Sequence, residues 1–279
     1  MYSSRQRTKS IAILLTVYNR KAKTLNCLKH LVPQYAGTNY QCDVYLTNDG
    51  CDDGTPEAVK EQFPEVNIIE GDGTLYWNRG MYKAWQAASN VKEYDYYLWL
   101  NDDTVLNPNA ISELLACENN IPSIVCGAIC SKIDNNFTYG GKDEKGNDVK
   151  PNGLIQACVI INGNCVLVSK KVFEEIGLLD PVFPHAIGDH DYGLRALKSG
   201  FRVVTTREYI GFCEKNASLP KWCYQTTPFR QRLRALYSPL GNAHPIYFFK
   251  YESRHFGFTK AAKHLISIHL RVLMPSLWK

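Results

Sequence analysis

Three acidic stretches hold the residues best suited to chemistry. The first is Tyr96–Leu106, YYLWLNDDTVL, where an apolar run through Tyr97, Leu98, Trp99 and Leu100 delivers Asn101, Asp102 and Asp103. Adjacent carboxylates after a hydrophobic strand are costly unless solvated, paired or bound to a cation. In an open α/β sheet the carboxyl ends of strands are also where ligands bind. The motif reads as a divalent-metal site for a phosphorylated substrate, or as a solvated loop in which Asp103 or Thr104 caps the next helix. The second stretch, Asn48–Thr55, is NDGCDDGT. Asp49 suits a hydrogen bond from a nucleobase N–H; an ordinary glycine-rich turn capped by Asp53 or Thr55 is the alternative. The third, Ala186–Leu197, is AIGDHDYGLRAL. Asp189 and Asp191 fall at a helix start, where the dipole favours carboxylates, and Arg195 stands one turn after Asp191. One carboxylate would serve as general base and the other would position it or the acceptor. A plain N-cap with a helix-surface ion pair competes with that reading. His190 is expected to face away, and His185 is a ligand or a loop histidine.

Gly71–Gly80, GDGTLYWNRG, sets Tyr76 and Trp77 between glycines. Aromatics in a loop suit stacking on a sugar or base, and Arg79 suits a phosphate. Burial of both rings in the core is the competing expectation.

The elements that must position these groups alternate. Strands are expected over Ser10–Val17, Cys42–Thr47, Val66–Glu70, the opening run, Ser123–Cys130, Ile155–Ser169 (with NGN at its centre) and Phe201–Thr205. Helices are expected over Lys21–Tyr35, Ala58–Phe63, Arg79–Asn90, Pro108–Cys117, Lys170–Ile176 and Asp189–Ser199. Asp134–Pro151 is polar and reads as a hairpin or mobile loop. The alternation implies right-handed βαβ units and a mainly parallel sheet.

The 279 residues fit one large domain or a domain with an appendage. Their net charge of +5 is uneven: 214–279 carries eleven Lys/Arg against two Asp/Glu, a balance of +9, leaving −4 over 1–213. The chain therefore divides near Gly211–Pro220 into 1–213 and 214–279, and the second part points towards an anionic surface. Within it, Phe258–Leu273 places Lys260, Lys263, His264, Ser267 and Arg271 on one face. Phe258, Ala261, Leu265, Ile268 and Val272 occupy another, with Leu273 and Trp278 nearby. Such a helix suits an anionic bilayer interface, or docks on its own domain. No apolar window is long enough for a transmembrane helix. Ile11–Val17 follows basic residues but is short for a signal core and lacks a small-residue cleavage site, so it reads as a first strand. Ten cysteines without CxxC spacing suggest reduced thiols in a cytosolic protein.

Taken in order, LLTVYNR, NDGCDDGT, GTLYWNRGMYKAW, LWLNDDTVL, NGNCVLVSKKVFEEIGLLD and GDHDYGLRALKSGF make the chain resemble glycosyltransferase family 2, the inverting transferases of the GT-A fold. The likeness runs from Ile11 to Thr205. It implies an α/β, Rossmann-like GT-A fold with a mixed, mainly parallel sheet flanked by helices, followed here by a basic helical extension. By the same resemblance Thr16, Val17 and Tyr18 frame the nucleotide and Asp49 recognises uracil or thymine; Arg79, suited to a phosphate, is grouped with the nucleotide site on its own chemistry. Asp102 meets the ribose or donor sugar, and Asp103 holds Mg²⁺ or Mn²⁺. Asn101 replaces the first acid of the family's DxD-type motif. Asp189 matches the catalytic base, and Gly188 stands where many relatives carry an acid. Asp191, Arg195 and Trp77 would position the base or the acceptor, and Trp77, Asn162 and Asn164 would surround the donor sugar. Many relatives place a histidine after the last core strand as a further ligand; YIGFCEKN has none, and His244 is a distant candidate. The stretch RLRALYSPLGNAHPIYFF resembles tails of bacterial surface-polysaccharide transferases. The implied activity is transfer from a UDP- or dTDP-sugar to a saccharide or lipid-linked saccharide, in O-antigen or capsule synthesis. It would take place in the cytoplasm, at the inner face of the membrane, with no nucleic-acid partner. Nucleotidyl transfer and a non-catalytic nucleotide-sugar binding module are the alternatives.

Overall fold

The computed structural model describes residues 8–36, 38, 40–215, 220–241 and 243–277. Trp278 lies outside them. β1 (Lys9–Val17), β2 (Tyr40–Asn48), β3 (Asn67–Glu70) and β4 (Tyr96–Leu100) pair in parallel in the order β3-β2-β1-β4; the apolar runs of β1 and β4 are buried on both faces, while β3 forms a half-exposed edge. The helices between them are α1 (Lys21–Leu31), α2 (Thr55–Gln62) and α3 (Tyr76–Val91). After the short β5 (Val105–Leu106) and α4 (Ala110–Glu118) comes β6 (Ser123–Cys130), which folds back onto β7 (Phe137–Tyr139). Then β8 (Gln156–Ala157), β9 (Cys165–Ser169), α5 (Lys170–Ile176), α6 (Gly188–Lys198) and β10 (Arg202–Phe212) complete the sheet. Its main path is β3-β2-β1-β4-β9-β6-β10-β5. β9 runs antiparallel between β4 and β6, while β6 and β10 are parallel, so the sheet is mixed and mainly parallel as expected.

Period-2 alternation sorts each strand's side chains between two cores. Ile11, Ile13, Leu15, Leu98 and Leu100 meet the α1, α2 and α4 side; Ala12, Leu14, Tyr97 and Trp99 meet the α3, α5 and α6 side with Trp85 and Tyr192. Helices on both faces explain why these strands read as continuous apolar runs.

Three boundaries differ from expectation, each for a local reason. α3 begins at Tyr76, whose φ of 58° turns the chain sharply into the helix, so Trp77 and Asn78 are helical and not loop residues. The strand expected over Ile155–Ser169 is interrupted: NGN forms a turn, and only Cys165–Ser169 joins β4 and β6. The last strand continues to Phe212 with register shifts between Thr205 and Gly211; it stays paired with β6 to its end, while its other edge takes β8 at Val204–Thr205 and β5 at Gly211–Phe212.

The extension contains α7 (Phe229–Leu236), α8 (Pro245–Phe256) and α9 (Phe258–Leu273). Gly257, at φ 94°, links α8 directly to α9. Tyr251 of α8 packs with Phe183, Ile187 and Leu194, which ties the extension to α6. Trp222, Leu236, Ile268 and Val272 form its own small core. No helix among the described residues is long and apolar enough to cross a membrane. All ten cysteines are free thiols.

Candidate active site

Strand β4 ends at Leu100, and NDD turns out onto the carboxyl edge of the sheet beside the start of α1. There Arg20, from the YNR turn after β1, reaches both acids: its guanidinium lies 3.2 Å from Asp102 Oδ1 and 2.9 Å from Asp103 Oδ2. Lys23 adds a longer contact of 3.5 Å to Asp103. Thr24 donates to Asp102 Oδ2 at 3.4 Å. Asp102 is buried, and desolvation, opposed by Arg20 and reinforced by Asp103, pushes its carboxyl up to about 6. The thiol of Cys213 donates to Asp103 Oδ1 at 3.6 Å from the end of β10, where the histidine of many relatives was sought. Burial and the neighbouring Asp103 push that thiol up to about 12, and its soft sulfur suits a hard cation poorly.

From Asn101 a chain of hydrogen bonds leads to Asp189. Trp77 Nε1 donates to Asn101 Oδ1 at 2.7 Å, and Asn101 Nδ2 donates to Asn164 Oδ1 at 3.1 Å. The Asn101 amide donates to the Asn164 carbonyl at 2.9 Å, and Asn162 Oδ1 accepts from the Asn164 amide at 3.2 Å. The Gly163 amide donates to Asp189 Oδ2 at 2.9 Å. A Cβ on Gly163 would lie 2.3 Å from the Trp77 indole, so the glycine permits the ring to rest on the turn. The structure therefore brings Trp77, Asn101, Asn162, Asn164 and Asp189 together, and Gly163 is a member that sequence reasoning missed. Trp77 is only partly buried and packs edge-on against Trp99, so it belongs partly to the core and partly to the edge.

Asp189 opens α6, with His190's amide donating to its Oδ1 at 2.9 Å. Ile187, just before the helix, sits at φ 78°, a conformation costly for a β-branched residue and characteristic of functional turns. Gly188 explains the missing acid at that position. A Cβ there would lie 1.8 Å from Asn78 Oδ1, and Asn78 is fully buried, donating to the carbonyls of Asp180 and Phe183. His185 Nδ1 accepts from the Trp77 amide at 3.4 Å; burial pushes its imidazole down against the pull of Asp189 and keeps it neutral. His190 turns towards Tyr251, with ring centroids 6.3 Å apart.

Asp191 and Arg195 do not share this edge. Two residues on a helix are about 200° apart, so Asp191 points away from Asp189. It is fully buried and accepts from Arg195 at 2.9 Å, Arg254 at 2.7 Å and His255 at 2.9 Å. Burial works against its charge, but His255, Arg195 and Arg254 outweigh it and hold the carboxyl below its ordinary range. Arg195 also donates to the carbonyls of Ile176 and Leu178. Asp191 is closed to solvent, while Arg195 keeps 23% of its side chain exposed; the pair lies on the other side of α6 from Asp189, where Asp191 fastens α6 to α8 through Arg254 and His255. Helical phase was the signal that separates them from Asp189.

Asp49 lies at the end of β2, almost wholly buried, and turns inward. Its oxygens accept from the amides of Gly73 at 2.9 Å, Leu75 at 3.2 Å and Tyr76 at 2.9 Å, building the loop before α3. Asp53 bridges two helix starts, accepting from the Lys21 and Thr55 amides. Thr16 and Val17 form the end of β1, and Tyr18 beyond it is 57% exposed. Arg79 donates to the Pro181 carbonyl at 2.8 Å, a tether between α3 and the loop before α6. His244 is buried in the extension between Tyr237 and Tyr247, not at the aspartates.

The donor set decides how a divalent ion would fit. No group of three metal-ligating side chains occurs among the described residues. Asp102 and Asp103 offer hard oxygens at one edge, which suits Mg²⁺ or Mn²⁺ held by one or two carboxylates together with substrate phosphates and water. The residues fit an ion shared with a diphosphate, not one caged by protein alone.

The mixed sheet flanked by helices is the GT-A arrangement, and solved structures share that fold. A mannosyltransferase from Pyrobaculum calidifontis in complex with GDP-Man and Mn²⁺ matches at TM-score 0.56 and 12% identity, over 97% of this chain and 88% of that one. GalNAc-T7 with UDP, GalNAc and Mn²⁺ matches at 0.59 and 11%, over 94% of this chain, which spans 55% of that longer one. S. aureus TarS 1-349 matches at 0.54 and 13%, over 90% and 73%. At these identities the likeness speaks for the fold. No curated protein matches the sequence. The model of the family described as "Glycosyl transferase family 2" matches residues 12–177, more than half the chain. The protein belongs to that family and is a glycosyltransferase.

Proposed function

We propose that the protein is an inverting glycosyltransferase that moves a sugar from a UDP- or dTDP-sugar to a saccharide or lipid-linked saccharide. The setting is bacterial O-antigen, capsule or related surface-polysaccharide synthesis at the inner face of the cytoplasmic membrane. The observation that carries this reading is the connection from Asn101, hydrogen-bonded to Asn164, to the adjoining Gly163, whose amide holds Asp189; it supports Asp189 as the base of a site that includes the NDD turn. The complexes with GDP-Man or UDP and Mn²⁺ in the neighbours support the same class of donor and metal.

In this reading Asp103, with Asp102 beside it, would hold Mg²⁺ or Mn²⁺ against the donor diphosphate. A bound ion supplies charge neutralisation for the departing nucleoside diphosphate. Arg20 and Lys23, already at these acids, supply positive charge to the same leaving group. Thr16, Val17 and Tyr18 border the nucleotide, with Asp49 shaping the loop against which the base rests and Arg79 securing that loop's helix. Trp77, Asn162 and Asn164 line the donor sugar. Asp189 takes the proton of the acceptor hydroxyl as that oxygen attacks the anomeric carbon; the C–O bond to the diphosphate breaks on the opposite face, inverting the configuration in one displacement. Asp191 and Arg195 position the base by holding α6.

The test is Asp189→Asn with product analysis. Turnover is expected to fall by at least about a hundredfold, the general-base contribution, with donor-induced thermal stabilisation retained. Full activity in the variant sinks the base assignment. Release of pyrophosphate by the parent, in place of nucleoside diphosphate, would identify a nucleotidyltransferase, and no turnover on any acceptor would favour a binding module.

A further inference from the structure

Helix α9 is apolar on two sides. The face expected to enter a bilayer is largely used up: Ala261, Ile268 and Val272 are buried, the last two against Trp222 and Leu236. A second stripe faces solvent, formed by Ile266 (62% exposed), Leu270 and Leu273 at spacings of four and three, with exposed Leu277 in the turn that follows the helix. Leu233 and Tyr237 of α7 are also exposed, and the Tyr237 hydroxyl meets His269 Nε2 at 2.8 Å, joining the two helices beside that stripe. Large aliphatic side chains at this spacing have no role in the fold and are a liability unless something covers them.

We infer that this outer face of α9, with the adjoining face of α7, seats on an anionic lipid surface. Charge selects that occupant. The segment 214–279 carries the +9 balance, and Arg230, Arg234, Lys260 and Lys263 are all exposed on the same two helices. Basic residues around an apolar stripe match the layered chemistry of a membrane interface, with acyl chains below and phosphate groups above. A second copy of the chain would bring two +9 extensions together, which the same charges oppose. The inference deepens the proposed lipid-linked acceptor and rests on that reading for its purpose, but the surface itself is defined by exposure and charge alone.

Co-sedimentation of the full chain with phosphatidylglycerol–phosphatidylcholine vesicles tests it. Binding is expected at low salt, weakening as salt rises, and little binding is expected to pure phosphatidylcholine. Leu270→Glu and, separately, Ile266→Ser are expected to lower partitioning roughly tenfold or more, with melting temperatures unchanged because both side chains are exposed. Arg230→Gln with Arg234→Gln is expected to lower it by roughly twentyfold through lost attraction. Equal binding of parent and folded Ile266→Ser overturns the inference, as does equal binding to neutral vesicles or none to either. A parent that is dimeric by light scattering and becomes monomeric in Leu270→Glu assigns the face to self-association and also overturns it. Transfer to a soluble acceptor should survive Ile266→Ser; its failure in the parent speaks against the transferase reading and leaves the vesicle result standing.

Discussion

Replacing Asp191 by Asn tests whether α6, the helix that carries Asp189, is held from behind. Asp191 Oδ1 accepts from Arg254 and His255, and Oδ2 accepts from Arg195. An amide must turn its NH₂ towards one of these donor groups, so at least one hydrogen bond becomes a donor–donor clash, and Arg195 loses its counter-charge while Arg254 loses one of two. Breaking a buried ion pair costs roughly 3–5 kcal/mol. Arg254 is 38% exposed and keeps Asp180 at 2.7 Å, which argues for the lower end, about 3 kcal/mol. At about 2–4 °C per kcal/mol, thermal melting should drop by roughly 6–12 °C at pH 7. The pH dependence has a definite sign. The Asp191 carboxyl is held below its ordinary range, so its stabilisation is complete above about pH 4 and is lost as pH falls through the folded value. The gap between parent and variant should therefore narrow in acid. A melt within about 2 °C of the parent at pH 7 would refute the clamp. Loss of stability without loss of turnover at 20 °C would separate structural holding from positioning of Asp189.

Other substitutions probe the edge itself. Gly188→Ala sets a methyl where Asn78 Oδ1 now sits and should cost about 1–3 kcal/mol by denaturant unfolding, with turnover falling as the base shifts. Asp103→Asn should abolish the extra thermal stabilisation that Mn²⁺ gives with a nucleotide-sugar, while changing the ligand-free melt little, because Arg20 and Lys23 are 46% and 61% exposed. Unchanged Mn²⁺-dependent stabilisation would move the metal away from Asp103.

Much of the sheet was legible because burial on both faces writes β1, β4 and β6 as uninterrupted apolar runs. The same rule misled at Ile155–Ser169, where VIINGNCVLV reads as one strand. The polar centre of that run bonds instead to Asn101 and Asp189, contacts invisible in a local pattern. β10 was read short since Arg207 and Glu208 break its apolar pattern, although the strand continues through irregular register to Phe212. In the site, the carboxyl-edge position of Asp103 and Asp189 followed from strand and helix order. Arg20 did not: it lies in a turn 82 residues before Asp102, and only the third dimension makes it a partner. Gly163 carries no functional group, and its contribution is a backbone amide and the space left for Trp77.

The reversed strand β9 has a consequence for how the molecule is made. β4 and β6 both precede β9 in the chain, separated only by the short β5 and α4, yet they never pair; β9, emerging later, fills the gap between them. A nascent chain ending near residue 160 therefore carries two apolar strands with open edges, the kind of surface that invites wrong partners. Insertion of Cys165–Ser169 closes both edges, and the same event draws the preceding NGN turn against Asn101. Sheet closure and placement of the NGN turn beside Asn101 are therefore expected in one step. Pulse-labelled hydrogen exchange during refolding should find the amides of Val166–Val168 gaining protection together with that of Asn101, and separate phases for the two would disprove the coupling.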